Sequence, residues 1–138
     1  MRLVLRTGID LLHLERFEAV YRRYGMRFVQ RIFTLQEQHY CDTRVTAYAA
    51  RWAAKEATAK MLGVGLSGLG SGTSAVQWTA IEVVPDELRK PVLVLHGAAR
   101  ERAEALGIYT VDMSISHDAG YVVVSVVGAG LVNDTFEA

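Results

Sequence analysis

Two carboxylates and one lysine in this sequence have types and spacing that suit phosphate chemistry. Glu56 and Lys60 are four residues apart within an alanine-rich stretch, residues 50–61. On a helix they stand together at one edge of a stripe of small side chains, which would let a sheet or another helix approach closely. Asp10 follows an apolar, strand-like segment near the start of the chain. Mg²⁺ prefers one or two protein carboxylates and takes its other ligands from water or phosphate oxygens, so these three residues form a candidate magnesium–phosphate site.

Each of these residues also has a plain structural interpretation. The Glu56–Lys60 spacing is that of a solvated ion pair, which is worth roughly 0.2–0.5 kcal/mol. A carboxylate at the end of a strand, as we expect for Asp10, usually caps the helix that follows it. The three residues alone leave both interpretations open.

Other site chemistries fit the sequence less well. Zinc is disfavoured because the chain has neither a pair of cysteines nor two histidines at helical spacing. A hydrolase relay of Ser116, His117 and Asp118 is disfavoured because adjacent residues on one strand point to opposite faces. His117 is instead a candidate by its place, at the junction between a strand and a turn.

Hydrophobic periodicity predicts the elements that position these side chains. Strands are expected at residues 3–9, 78–84, 92–96, 109–117 and 121–127, and the tail from residue 128 has no clear pattern. Helices are expected at residues 11–24, from 35 after a capping box of Thr34 and Glu37, at 43–62 and at 97–106. This order predicts an α+β fold, with a mostly antiparallel sheet packed against a long central helix. Residues 1–138 are expected to form a single domain.

Composition places the chain among soluble globular proteins. It has 138 residues, of which 51% are hydrophobic, so disorder is disfavoured. The first residues are too few and too charged for a signal peptide, and no apolar run approaches the roughly 20 residues of a membrane helix. The single cysteine, Cys41, rules out a disulfide within the chain and is expected to be buried or half-buried. We expect a cytoplasmic protein with neither a membrane nor a nucleic acid as its partner.

Charge is unevenly distributed along the chain. The formal net charge is zero, but residues 1–31 hold seven arginines and only three acids, a balance of +4. A basic surface on a neutral protein indicates an acidic partner or phosphates. Residues 63–74 contain five glycines, without the Lys-Ser/Thr ending of a Walker loop. That segment is either a flexible connection or a loop that can lie against a ligand.

Together these segments resemble the holo-acyl-carrier-protein synthases, within the phosphopantetheinyl transferases. The resemblance spans residues 3 to about 128 in the family's order. Its motifs are Gly8-Ile9-Asp10 with Arg16, Ile32-Phe33-Thr34 with Glu37, the stretch 50–57 with Lys60 and Gly63, and residues 114–118. The chain departs from the family in two places: position 13 is His, where the family often has Glu, and the loop at 64–75 is longer and richer in Gly and Ser.

The resemblance implies a reaction and a set of site residues. The family transfers 4′-phosphopantetheine from coenzyme A to a serine of apo acyl carrier protein and releases adenosine 3′,5′-bisphosphate. The resemblance implies that Asp10 and Glu56 bind Mg²⁺, with Lys60 and His117 near the phosphates. It also implies that Arg51 and Gly63 lie along the nucleotide. Lys60 would stabilise charge on the reacting phosphate, and the base is Glu56, directly or through a metal-bound water.

The resemblance also implies partners. The family is typically a homotrimer with active sites between subunits, and it works in fatty acid biosynthesis and lipid metabolism. An acidic carrier would dock on the basic first helix, through Arg16, Arg22, Arg23 and Arg27. The main alternative is a non-catalytic module that binds coenzyme A or a carrier, and a magnesium-dependent hydrolase is a more distant one. Whether the carrier serves fatty acid or polyketide synthesis stays open.

Overall fold

The computed structural model describes residues 1–66 and 75–133. Its strands and helices form an α+β fold, with one three-stranded antiparallel sheet in the order β1-β5-β4 and a hairpin of β2 and β3. The strands are β1 (Arg2–His13), β2 (Ile81–Pro85), β3 (Pro91–Leu95), β4 (Thr110–Asp118) and β5 (Tyr121–Val132). The helices are α1 (Leu14–Ile32), α2 (Leu35–Cys41), α3 (Val45–Leu62) and α4 (Gly97–Ala105), with a 3₁₀ turn at Trp78–Ala80. The predicted fold class is confirmed, whereas most of the predicted 64–75 loop lies outside the described residues.

The long helix α3 packs its small side chains against β1 and β5, as predicted. The alanine stripe of α3 and Met61 are at most 5% exposed; the stripe consists of Ala50, Ala53, Ala54 and Ala57. Gly63 ends the helix in the left-handed conformation, with φ of 68°. On the facing strand, a Cβ added to Gly8 would lie 1.9 Å from the carbonyl oxygen of Ala57. Because Gly8 has no side chain, β1 can approach the backbone of α3, and this contact lies beside Asp10.

Replacing Gly8 with alanine is expected to lower the free energy of unfolding by about 1–3 kcal/mol. The added methyl group would meet a main-chain carbonyl, which cannot rotate away as a side chain could. Chemical denaturation measures the change, and Thr7→Ala is the matched control because Thr7 is exposed on the opposite face of the same strand. A Gly8→Ala protein as stable as Thr7→Ala would mean that β1 and α3 are not in close contact.

The structure corrects the prediction for the first strand and helix. β1 continues to His13, so Asp10 lies inside the strand, paired with Val124 of β5, and does not end it. The helix begins at Leu14 and not at Leu11, and its N-cap residue, His13, makes no side-chain capping bond. Asp10 is therefore not a helix cap. Pairing with β5 extends the strand beyond the point at which its apolar alternation ends.

Two further predictions are corrected near the other strands. The segment after residue 127, for which no regular structure was predicted, continues the last strand, because β5 pairs with β1 as far as Val132. Glycines at 128 and 130 interrupt the apolar pattern of this strand. Glycine is nevertheless required at position 130, because a Cβ there would lie 1.7 Å from the carbonyl oxygen of Gly107. Trp78, expected to start a strand, instead opens the 3₁₀ turn before β2. The capping box at Thr34, the hairpin of β2 and β3 and the burial of Cys41 are confirmed.

The large sheet has one covered face and one open face. Val122, Val124 and Val126 of β5 lie on the covered face and are fully buried. On the open face of β1, four large apolar side chains are 59–63% exposed: Leu3, Leu5, Ile9 and Leu11. Among the described residues, no helix is both long and apolar enough to cross a membrane.

Candidate active site

The close approach of β1 and α3 brings Asp10, Glu56 and Lys60 together. The Nζ atom of Lys60 lies 3.3 Å from Oδ1 of Asp10 and donates a hydrogen bond of 3.0 Å to the carbonyl oxygen of Ile9. The Glu56 carboxyl lies beside that of Asp10 and beside the indole of Trp52, in one pocket that all three residues line. The lysine side chain is 58% exposed and that of Asp10 only 9%. The site is therefore a half-buried pair of acids with one cation on its solvent side.

These residues lie along the only solvent-facing stripe of the second half of α3. Trp52, Glu56 and Lys60 follow each other at intervals of four, while the residues between them are buried. The Nζ atom of Lys60 contacts Asp10 on the neighbouring strand. A solvated ion pair within the helix therefore does not describe this lysine, which ties two elements together.

Burial and a neighbouring negative charge raise the pKa of Glu56 from 4.5 to about 7. Loss of water around the carboxyl is the largest cause, and the Asp10 carboxylate adds to it. The charge of Lys60 opposes the shift. A carboxyl with a pKa near neutrality can accept a proton, and its ionised form is ready to receive a cation.

A pocket of about 280 Å³ opens beside the acid pair. One side is formed by Asp10, Glu56 and Trp52, and the other by the first turns of α1, including Arg16 and Phe17. The pocket therefore joins a carboxylate pair, an apolar wall and a guanidinium. It could accept a group that is partly apolar and carries a negative charge.

The donor set suits magnesium better than a metal held by protein alone. Asp10 and Glu56 supply carboxylate oxygens, the hard ligands that Mg²⁺ takes. In the described ranges, no group of three or more His, Cys, Asp or Glu side chains could hold a metal ion. Such a site needs water or phosphate oxygens to complete the coordination, which fits an ion that binds together with a phosphorylated substrate.

The structure places Arg51 and Gly63 on the same helix but away from the acid pair. Arg51 is 5% exposed, and its guanidinium lies 4.3 Å from the ring centre of Tyr40, on which Arg44 also stacks at 4.6 Å. Its Nε atom is buried without a hydrogen-bond partner within the described part of the chain. Gly63 is at the opposite end of the helix, where it forms the C-cap. The arginine pair around Tyr40 is a second basic feature of this molecule.

His117 is not next to Asp10 within one copy of the chain. It lies on β4, exposed, opposite Val122 of β5, which pairs in turn with Leu12 of β1. Two strand spacings separate it from β1, or about 10 Å of backbone distance. His117 can therefore lie near phosphates bound at Asp10, as the resemblance implies, only if the ligand is large or the histidine comes from a second copy of the chain.

The arginines predicted to dock a carrier are all exposed on α1. Arg16 lines the pocket beside the acid pair. Arg22 lies 3.7 Å from Glu18, and Arg23 stacks on Tyr24 at 5.3 Å. Arg27 follows the break in the helix at Gly25, where φ is 56°. Only weak contacts hold these side chains, so their charges stay available to a partner.

Sequence reasoning missed two features around the site. The first is Trp52, whose indole lies beside Glu56 in the pocket. The second is Lys55, whose side chain is 0% exposed and pairs with Glu37 at 2.8 Å. Alanines around most of α3 were the available signal, because a helix that is apolar on nearly every side is buried on nearly every side.

Comparison with known proteins agrees with the resemblance seen in the sequence. The profile of the 4′-phosphopantetheinyl transferase superfamily matches residues 6–123. A holo-[acyl-carrier-protein] synthase of Herpetosiphon aurantiacus is 46% identical over 127 residues, which are 92% of this chain and 100% of that protein.

Solved structures show the same fold. The holo-[acyl-carrier-protein] synthase of Neisseria meningitidis superposes with a TM-score of 0.76 at 32% identity, covering 89% of this chain and 96% of that one. The enzyme of Helicobacter pylori, solved in complex with coenzyme A, has a TM-score of 0.72 at 28% identity, over 88% and 98% of the two chains. The chain therefore belongs to the 4′-phosphopantetheinyl transferase superfamily, as an enzyme of the holo-[acyl-carrier-protein] synthase type.

Proposed function

We propose that this enzyme transfers 4′-phosphopantetheine from coenzyme A to a serine of apo acyl carrier protein, with Mg²⁺, and releases adenosine 3′,5′-bisphosphate. The observation that carries the proposal is the half-buried pair of Asp10 and Glu56, with Lys60 beside it, opening into a pocket under the basic helix α1. The coenzyme A complex of the Helicobacter pylori relative supports the choice of donor. Cys41 is a buried free thiol, which suits the reducing cytoplasm.

The chain's own residues would do four tasks in this reaction. Asp10 and Glu56 would hold Mg²⁺ against the pyrophosphate, where the ion supplies charge neutralisation for the phosphate oxygens. Lys60 is free on its solvent side to contact a non-bridging oxygen and stabilise the charge that develops there. Glu56 would take the proton of the attacking serine, directly or through water. Arg51, with its unpartnered Nε, and Gly63 would lie along the nucleotide.

The product separates this proposal from a module that only binds coenzyme A or a carrier. Chromatography should show adenosine 3′,5′-bisphosphate released in step with consumption of the apo carrier. A binding module would retain coenzyme A intact, and a hydrolase would release the nucleotide without any carrier. All of Asp10, Glu56 and Lys60 are present and close together, which favours the transferase.

Mg²⁺ affinity is expected to rise as pH rises through about 7. The ion binds the ionised carboxylate, whereas below its raised pKa of about 7 Glu56 holds a proton that competes. For the metal-free protein the sign is the reverse: the stability that neutral Glu56 contributes is complete below about 4.5 and is lost as pH rises through about 7. Calorimetry of Mg²⁺ binding and chemical denaturation across this pH range measure the two trends. Glu56→Gln is the control that should flatten both, and an unchanged slope in that variant would contradict the assignment.

Reversing two charges on α1 should weaken the interaction with the carrier and leave that with coenzyme A unchanged. Arg22→Glu with Arg23→Glu is expected to raise the KM for the carrier roughly tenfold or more at low salt, because basic surface speeds the encounter with an acidic partner. The salt dependence of that KM should flatten, since the Debye length is about 10 Å at 0.1 M. The KM for coenzyme A should barely change. Steady-state kinetics at two ionic strengths measures both, with Arg100→Glu on α4 as a control for net charge; an equal loss for both substrates would mean that the carrier docks elsewhere.

We further propose that the enzyme works as a homotrimer, with sites between its subunits. The open face of the large sheet supports this, because four large side chains of β1 stand exposed in one row and need a partner surface. The position of His117, two strands from Asp10, also supports it. In an assembly, His117 of one subunit can contact the phosphates that a neighbouring copy binds.

A further inference from the structure

Lys55 lies beside Glu56 in the sequence but points away from the proposed reaction. Its side chain and that of Glu37 on α2 are both 0% exposed, with 2.8 Å between Nζ and Oε1. A fully buried ion pair is weak evidence for stability, because the loss of water offsets much of the attraction between the charges. The best-attested use of such pairs is to specify one geometry, so the question is which geometry this pair specifies.

The pair joins four elements at one point. The Nζ atom of Lys55 donates to the carbonyl oxygen of Trp78 at 3.0 Å and to that of Ile81, as well as to Glu37. Glu37 uses its other oxygen, Oε2, to accept the backbone N–H of Val83 at 3.0 Å. The ammonium therefore has all three donors occupied. Helix α3 is tied by it to α2, the 3₁₀ turn and β2.

A short chain of contacts leads from this point to the acid pair. Lys55 holds the main chain of Trp78, and the ring of Trp78 packs on that of Trp52 with 4.6 Å between centres and 31° between planes. Trp52 in turn lies one helical turn before Glu56, and the two side chains lie side by side in the wall of the pocket that Asp10 also lines. The first two links are direct contacts, and the whole path stays within α3 and the 3₁₀ turn.

We propose that the buried Lys55–Glu37 pair is a positioning element for Glu56, which acts by holding Trp78 against Trp52 and so keeps the Glu56 carboxyl beside Asp10. Lys55 touches neither substrate nor metal in this account and is a positioning residue. The catalytic consequence rests on the proposed function. The geometric consequence does not, because Trp52 and Trp78 are the only two tryptophans of the chain and report their own packing.

The test uses a double variant, Glu37→Gln with Lys55→Met, which removes both charges and keeps side-chain volume. Lys55→Met alone would leave Glu37 charged and unpaired in the interior and is expected to unfold the protein. Thr58→Val is the matched control: Thr58 is buried in the same helix, and the change removes its hydrogen bond of 2.7 Å to the carbonyl oxygen of Ala54 while leaving the Lys55–Glu37 pair intact. All proteins are compared below their melting temperatures, after circular dichroism has confirmed their folding.

In the double variant kcat is expected to fall roughly 10-fold to 100-fold and the Kd for Mg²⁺ to rise by a similar factor, as for lost outer-sphere partners. The KM for the carrier should stay unchanged. The near-ultraviolet circular dichroism of the tryptophan pair should change, and Thr58→Val should leave all four quantities as in the wild type. A folded double variant with unchanged kcat and Mg²⁺ affinity, or with an unaltered tryptophan signal, overturns the proposal. A double variant that does not fold is replaced by Glu37→Gln alone, in which Lys55 keeps its bonds to the carbonyl oxygens of Trp78 and Ile81 and the glutamine oxygen can still accept a third; this variant is judged by the same criteria.

Failure of the proposed function would look different. The wild-type protein would then give no transfer in the same assay, whatever the variants do. In that case the tryptophan signal alone decides the positioning proposal: an altered signal in the folded variant supports it, and an unaltered one overturns it.

Discussion

Glu56→Gln is expected to lower kcat for phosphopantetheine transfer by about 10²-fold to 10⁴-fold, the range that a general base contributes. Glutamine keeps the size of the side chain but can neither accept the serine proton nor bind Mg²⁺ as a carboxylate does. Asp10→Asn should have an effect of similar direction, because it removes the second metal-binding carboxylate. Initial rates with saturating coenzyme A and carrier measure both variants.

The fold should survive both substitutions. Glu56 and Asp10 repel each other when ionised, and this repulsion contributes to the raised pKa of Glu56. Glu56→Gln should therefore be at least as stable as the wild type above neutral pH. Glu101→Gln on the exposed surface of α4 is the matched control and should keep full activity. Full turnover by Glu56→Gln and Asp10→Asn in the presence of EDTA would contradict the metal-site account.

Leu3→Glu combined with Leu5→Glu is expected to dissociate the oligomer and to remove most of the activity. Burying an exposed leucine contributes about 1.5–3 kcal/mol, and in a trimer every subunit loses this contribution. The two new carboxylates would stand on the same face of one strand and repel each other. Leu5 is about 16 Å along β1 from Asp10 at roughly 3.3 Å per residue, so the substitution does not reach the acid pair directly.

Sedimentation at the assay concentration, run beside the activity measurement, tests this expectation. Leu88→Glu is the control, because Leu88 is also a highly exposed leucine, at 89%, but lies in the turn between β2 and β3. We expect that control to remain assembled and active. A wild-type protein that sediments as a monomer and has full activity would exclude the proposed assembly.

Local patterns in the sequence predicted the elements whose signals are themselves local. The alanine-rich stretch at residues 50–61 predicted α3, and the capping box of Thr34 and Glu37 predicted the start of α2. Spacing on a helix also placed Glu56 and Lys60 on one edge of α3. These predictions succeeded because helix periodicity, capping and small-residue packing act within a few turns of the chain.

The features that depend on distant partners could not be predicted in this way. Asp10 seemed to end a strand, but pairing with β5 carries β1 three residues further. The burial of Lys55 depends on partners on α2, the 3₁₀ turn and β2, which are 18 to 26 residues away in the sequence. The packing of Trp52 on Trp78 also depends on how α3 meets its neighbours. Tertiary contacts decide such positions, and a single sequence records them only through composition.

The proposed function assigns the transfer of phosphopantetheine onto a carrier protein to the Asp10–Glu56 pair. Intact-mass spectrometry of an apo acyl carrier protein, incubated with coenzyme A, Mg²⁺ and the enzyme, tests it most directly. The account predicts that the carrier gains the mass of one phosphopantetheine group with the wild type, and that this gain is lost with Glu56→Gln over the same time. A carrier whose mass does not change with the wild type, or changes equally fast with Glu56→Gln, would contradict the account.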